Sequence, residues 1–142
     1  MSARHITRAG LIPYCYDTNG QLVMAFMVPS DGAYGGLSPQ IAKGQIDAGE
    51  TEIEAALREG AEELGVTSKH FCTNPPCVWR IPCSQFGDIA LFAVEVNTLK
   101  GFQAPHYETS RVVFLTADEF SAIGRDWQRS AVRALDHILM DI

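Results

Sequence analysis

No stretch of the sequence approaches the roughly 18–20 consecutive apolar residues of a membrane-spanning helix. The opening residues, Met1 to Arg8, carry no apolar core of a secretory signal. A cytoplasmic protein with no membrane partner is therefore expected. Positive charge is scarce: 11 Lys plus Arg stand against 17 Asp plus Glu, a formal net charge of −6. Duplex nucleic acid is held by a basic face that neutralises phosphates, so this balance argues against such a partner. A small phosphate ligand stays open, provided something else supplies positive charge. Internal repeats, low-complexity runs and Pro/Gly/Ser linkers are also missing, and residues 1–142 are expected to form a single domain. With 46% hydrophobic and 20% charged residues, that domain has apolar surface enough for a core without disulfides. Cysteine is sparse: Cys15, Cys72, Cys77 and Cys83. His70 and the last three form H-x-C-x4-C-x5-C, which lacks the tight cysteine pair of a zinc site. Reduced thiols are the expectation.

What is present is alternation. Residues 9–17 and 21–28 are apolar-rich and flank Asp17-Thr18-Asn19-Gly20. Asn-Gly suits the positive φ angles of a type I′ turn, so a β-hairpin is predicted. Residues 30–38 are glycine-rich and polar, a loop suited to flank a ligand. Residues 51–64 read as a helix, with Thr51 and Glu54 as a capping box, Gly65 as a left-handed stop, and Ile53, Ala56, Leu57 and Leu64 near one face. Residues 77–81, 88–96 and 111–115 read as strands. Thr116 and Glu119 make a second capping box before a short helix ending at Gly124, and residues 126–140 form the last helix, with Trp127, Ala131, Leu135 and Leu139 at i+4 spacing. Trp79 and Trp127 sit in apolar patterns that suit a core. The order of strands, helix, strands and helices predicts a mixed sheet covered by helices on both sides.

The stretch from 43 to 66 carries the chemistry. At about 100° per residue, Glu59, Glu62 and Glu63 fall within an arc of roughly 100° on the helix. Three carboxylates on one stripe repel each other, and Arg58 offsets only part of that. A solvated helix face is the plain alternative. Against it, Gly44 and Gly49 frame a tight loop leading straight into the helix, with Glu50 at its mouth. Clustered carboxylates beside a glycine loop suit a hard divalent cation, Mg²⁺ or Mn²⁺. Such an ion would supply the positive charge the composition lacks and invert the local sign for a pyrophosphate. Metal-assisted hydrolysis at phosphorus follows, with a remaining carboxylate taking the proton of the attacking water.

These residues resemble a known family. Gly44, Glu50, Arg58, Glu59, Glu62, Glu63, Gly65 and Val66 match the pattern G-x5-E-x7-R-E-U-x-E-E-x-G-U (U aliphatic) of the Nudix hydrolases. The resemblance implies an α/β/α sandwich around a central mixed β-sheet. It implies that Glu59, Glu62 and Glu63 hold the divalent ions with the Gly44 carbonyl, that Arg58 orients the carboxylates, and that Glu50 pairs with Arg58 at the loop–helix junction. It also implies a catalytic base that is either a motif glutamate, Glu59 or Glu62, or one on a later loop, here Glu108. Lys43 and Arg111 are candidate phosphate contacts, or else ordinary surface cations. Tyr34 and Tyr107 are candidates to stack on a base. One position departs from the pattern, because Gly60 stands where an aliphatic residue is usual. Glycine there costs about 1 kcal/mol of helix propensity against alanine, and close approach of the helix to the sheet would explain it. The implied substrate is a small-molecule nucleotide, a nucleoside diphosphate linked to another moiety. The order of preference is dinucleoside polyphosphate, then ordinary or damaged nucleoside triphosphate, then ADP-ribose. A nucleotide-binding sensor that has lost turnover is the alternative of another class, and a homodimer is a possible assembly.

Overall fold

The computed structural model describes residues 5–30, 38–81, 87–98, 102, 109–124 and 126–140. In chain order the elements are β1 (Arg8–Tyr16), β2 (Leu22–Pro29), β3 (Ala42–Gln45), α1 (Glu52–Leu64), β4 (Val78–Arg80), β5 (Ile89–Glu95), β6 (Thr109–Leu115), α2 (Ala117–Ile123) and α3 (Asp126–Met140). A 3-10 turn, Ser68–His70, follows α1.

The six strands make one mixed sheet in the order β4-β5-β1-β2-β6, with β3 attached to β1. β1 runs parallel to β5 from Arg8 to Tyr14. On its other edge β1 serves two antiparallel partners: residues 8–11 pair with β3 and residues 14–16 with β2. Pro13 lies in the gap between these pairings, where no antiparallel neighbour calls for the N–H it lacks. That split lets β3 leave the main sheet path and run beside α1.

The central strands β1, β2 and β5 are buried on both faces, and their residues point alternately to the two sides. Ala9 and Leu11 of β1, Ala25 and Met27 of β2, and Phe92 and Val94 of β5 face α1. Ile12, Met24, Phe26 and Leu91 face the opposite way, towards α2 and α3. There Phe26 stacks on Phe120 of α2 with ring centroids 4.2 Å apart. The expected sandwich of helices around a mixed sheet is what forms.

The local signals for α1 operate as read. Thr51 and Glu54 complete the reciprocal capping box, and Gly65 closes the helix at φ 76°. Of the four apolar residues expected near one face, Ala56 and Leu64 are buried and Leu57 packs against the core, and Ile53 alone turns outward. Ala55, Ala56, Glu59, Gly60, Glu63 and Leu64 face inward, while Ile53 is 42% exposed. The cause is close packing. A Cβ on Gly60 would stand 2.5 Å from Leu11 Cδ2 and 3.2 Å from Val66 Cγ1, so the helix meets β1 at its smallest residue. The apolar Ile53 falls outside that contact.

The hairpin forms with a different turn. Only Gly20 takes a positive φ, at 79°, and Asn19 does not. Asp17 Oδ1 accepts from the N–H groups of Asn19 and Gln21, both at 2.9 Å. This Asx geometry replaces the expected type I′ turn, and the one left-handed residue completes a Thr18-Asn19-Gly20 loop. Trp79 and Trp127 are half-buried against the α2/α3 side of the core.

Candidate functional site

The site grows from the junction of β3, the following loop and α1. Ile46 N–H bonds Thr7 O at 2.9 Å and ties the loop to β1. Gly49, at φ 81°, turns the chain back. Glu50 then reaches across its own loop and accepts the Asp47 N–H at 3.0 Å. Its carboxylate is gripped on both oxygens by Arg58, from Nε at 2.8 Å and from Nη2 at 3.0 Å. Such a two-point clamp needs the planar guanidinium fork.

Arg58 is the hub. Its Nη1 donates to Glu59 Oε1 at 2.9 Å, and Glu62 Oε1 lies 3.4 Å away. Its Nη2 also donates to the Gln45 carbonyl at 2.8 Å, and Asp47 stands 3.5 Å from Nε. One guanidinium thus lies within 3.5 Å of the carboxylates of Asp47, Glu50, Glu59 and Glu62. The charges act on each other as expected: Arg58 hydrogen bonding holds the Glu50 carboxyl below its ordinary value, and the Glu50 hydrogen bond raises the Arg58 guanidinium further still.

Glu59 and Glu63 are buried, at 8% and 7% exposure. That excludes the solvated-face reading for these two residues. Glu63 Oε1 accepts the Lys43 N–H of β3 at 3.0 Å. Glu59's carboxylate packs against Gly44, filling the space a Cβ would need there. Glu62 is the outward member, with its side chain 41% exposed. Lys43 is half-buried, and its Nζ donates to Gln40 Oε1 at 3.1 Å.

The structure therefore brings Lys43, Gly44, Arg58, Glu59, Glu62 and Glu63 together. Arg111 lies apart from them in its contacts. It is exposed on β6 opposite Val28, with no ion pair to α1 among the described residues. Tyr34, Tyr107 and Glu108 lie outside the described residues. Two glutamines were missed by the reading of the sequence. Gln40 and Gln128 are buried at 1% and 0%, and Gln128 Oε1 accepts the Ile41 N–H at 2.8 Å. The available signal was a lone amide in the apolar stripe Gln128, Val132, Leu135, Leu139 of the last helix.

Among the described residues, no three Asp, Glu, His or Cys side chains converge in the geometry of a bound ion. The reason is visible in the contacts: Arg58 draws Glu59 and Glu62, and Lys43 N–H takes an oxygen of Glu63. The donor set nevertheless fits a hard cation. Every candidate donor is oxygen, two of the carboxylates are buried, and Gly44 leaves room for one of them beside its backbone.

A family model for the NUDIX domain matches residues 6–135. The chain belongs to the NUDIX family. As a NUDIX hydrolase it acts on phosphorus-containing anhydrides. Solved structures share its fold at low identity. A C. elegans Ap4A hydrolase in a binary complex matches at 20% identity over 95% of this chain and 99% of that one, with a TM-score of 0.74. The NUDIX domain of Shewanella oneidensis NrtR, complexed with ADP ribose, matches at 14% identity over 98% and 90%, with a TM-score of 0.73. The E. coli dihydroneopterin triphosphate pyrophosphohydrolase matches at 16% over 94% and 96%, with a TM-score of 0.62. No curated protein matches the sequence. No described helix of this NUDIX protein is long and apolar enough to cross a membrane.

Proposed function

We propose that this NUDIX hydrolase cleaves a pyrophosphate bond in a nucleoside diphosphate linked to another moiety, with dinucleoside polyphosphate as the preferred substrate. The observation that carries the reading is the pair of buried carboxylates, Glu59 and Glu63, set between Arg58 and the β3 backbone. Carboxylates this close repel one another and repel phosphate, so their burial is a poor structural choice unless a cation joins them. Glu59, Glu62 and Glu63, with the Gly44 carbonyl, would hold Mg²⁺ or Mn²⁺. When bound, the ion would polarise the phosphate and lower the pKa of an attacking water.

The chain's own residues do the rest. Arg58 fixes the carboxylate directions through its clamp on Glu50 and its bond to Glu59. Lys43 meets this cluster through its backbone N–H, which Glu63 accepts, while its ammonium, held by Gln40, is the candidate for a phosphate oxygen. Glu108, or else Glu59 or Glu62 of the helix, takes the proton of the water. Tyr34 and Tyr107 supply aromatic faces for a base, and Arg111 a further cation for phosphate. The full-length likeness to an Ap4A hydrolase supports the choice of substrate.

The test is a panel of diadenosine polyphosphates, nucleoside triphosphates and ADP-ribose with Mg²⁺, with and without EDTA, products identified by mass. Dinucleoside polyphosphate should turn over fastest, and EDTA should abolish turnover. Faster release from triphosphates or ADP-ribose would reassign the substrate. Saturable binding without any product would favour a sensor.

A further inference from the structure

Gln128 sits on α3, on the face of the sheet opposite α1, and is 0% exposed. Its helical neighbours on the buried side are apolar: Ala131, Val132, Leu135. Its Oε1 accepts the Ile41 N–H at 2.8 Å. Only an oxygen can meet that donor, so the bond also fixes the amide orientation. Its Nε2 has no hydrogen-bond partner among the described residues. A fully buried amide with half of its capacity unused is a costly occupant of an apolar stripe. Departures of this kind from local consistency concentrate at functional sites.

The bond's target is informative. Ile41 stands in a run of six residues, 40–45, and four of the others touch the site. Gln40 holds Lys43 Nζ at 3.1 Å. Lys43 N–H binds Glu63 at 3.0 Å. Gly44 abuts the Glu59 carboxylate. Gln45 O takes Arg58 at 2.8 Å. Just before β3, Gln40 exchanges two backbone hydrogen bonds with Met27, at 2.9 and 2.8 Å. The Ile41 N–H is the point at which α3 holds this run from the other side of the sheet.

We infer that Gln128 is a positioning residue for the hydrolysis: through Ile41 it sets where Lys43 and Gly44 stand against Glu59 and Glu63. The inference rests on the hydrolase reading for its kinetic arm only. Gln128→Met keeps the length and the apolar fit and removes the acceptor. Its kcat should fall about tenfold, since small misplacements of catalytic groups are expensive, and the unpartnered Ile41 N–H should lower the melting temperature by about 2–6 °C without unfolding the chain. Gln128→Glu, buried there as the neutral acid, keeps a carbonyl acceptor for Ile41 and should recover most of the kcat. The amide NMR shifts of Lys43 and Gly44 should move in Gln128→Met, and Mn²⁺ added to that variant should bind more weakly. These two readouts need no turnover. If the wild type hydrolyses nothing in the panel, the hydrolase reading fails while the shifts and Mn²⁺ binding still judge the inference. Wild-type kcat in Gln128→Met, or unmoved Lys43 and Gly44 shifts, overturns it. Should Gln128→Met not fold, hydrogen exchange in the wild type decides. An Ile41 amide protected like those of α3 supports the pin, and one exchanging like an exposed loop overturns it.

Discussion

Glu59 lies where a side chain on Gly44 would have to be. A Cβ built on Gly44 would fall well inside van der Waals contact of all three carboxylate atoms of Glu59. The backbone of Gly44 is not left-handed, so alanine is conformationally acceptable there. The clash is with the far end of a flexible side chain, which yields. Gly44→Ala should therefore fold and melt close to the wild type, yet lose about 10²-fold in kcat/KM as Glu59 is pushed aside. Thermal melts alongside steady-state kinetics check this, and full turnover would show that the placement of Glu59 is immaterial.

Gly60 presents the opposite case, because the atoms it faces belong to the core. Leucine there gains about 1 kcal/mol in helix propensity. Overpacking against Leu11 and Val66 costs about 1–3 kcal/mol. The clash exceeds the gain, and urea denaturation should find Gly60→Leu less stable than the wild type. A clearly more stable variant with full activity would contradict the close approach of α1 to β1.

Glu62→Gln tests the proposed ion site at its outward member. The side chain is 41% exposed and contacts Arg58 only at 3.4 Å. Stability should change by no more than about 0.5 kcal/mol, while turnover with Mg²⁺ should fall about 10²-fold or more. Unchanged turnover would remove Glu62 from the site. Glu108→Gln, assayed beside it, separates the two candidate bases. A loss of similar size places the base on the later loop, and a small loss returns the role to the helix.

Acid titration probes a different contact. Arg8 and then Thr7 hydrogen-bond Asp88 and hold its carboxyl at about 2, against 3.8 ordinarily. A depressed folded pKa contributes stability that is fully present above the unfolded value and is lost as pH falls through the folded one. The wild type should therefore exceed Asp88→Asn in urea midpoint at about pH 6, and the gap should narrow as pH falls from about 4 towards 2. A gap that stays constant over that range would deny the Arg8–Asp88 contribution.

Much of this was readable before any coordinates. Thr51, Glu54 and Gly65 specify α1 by local hydrogen bonds, and those three residues form the caps they imply. The continuous apolar run 89–95 forms a strand buried on both faces, as such runs do. The family pattern located the carboxylates. What escaped depends on partners distant in sequence. β3 is four residues long, includes a lysine and a glycine, and is a strand because Arg8 to Leu11 pairs with it. The inward turn of Glu59 and Glu63 needs Arg58 and the Lys43 N–H, which apolar periodicity does not announce; Ala56, Leu57 and Leu64 pack inward as read, and Ile53 does not. Gln128 drew no reading at all, because nothing near it in the chain points to Ile41.

The crowding of four carboxylates around Arg58 also makes the fold itself a reporter. Any cation that settles among them relieves repulsion the native chain already carries and the unfolded chain does not. Native-state stability should then climb with free Mg²⁺ by RT ln(1 + [Mg²⁺]/Kd), about 1.4 kcal/mol per decade once past Kd. A denaturation series across magnesium concentrations would trace an affinity without a substrate, a product or a single catalytic cycle.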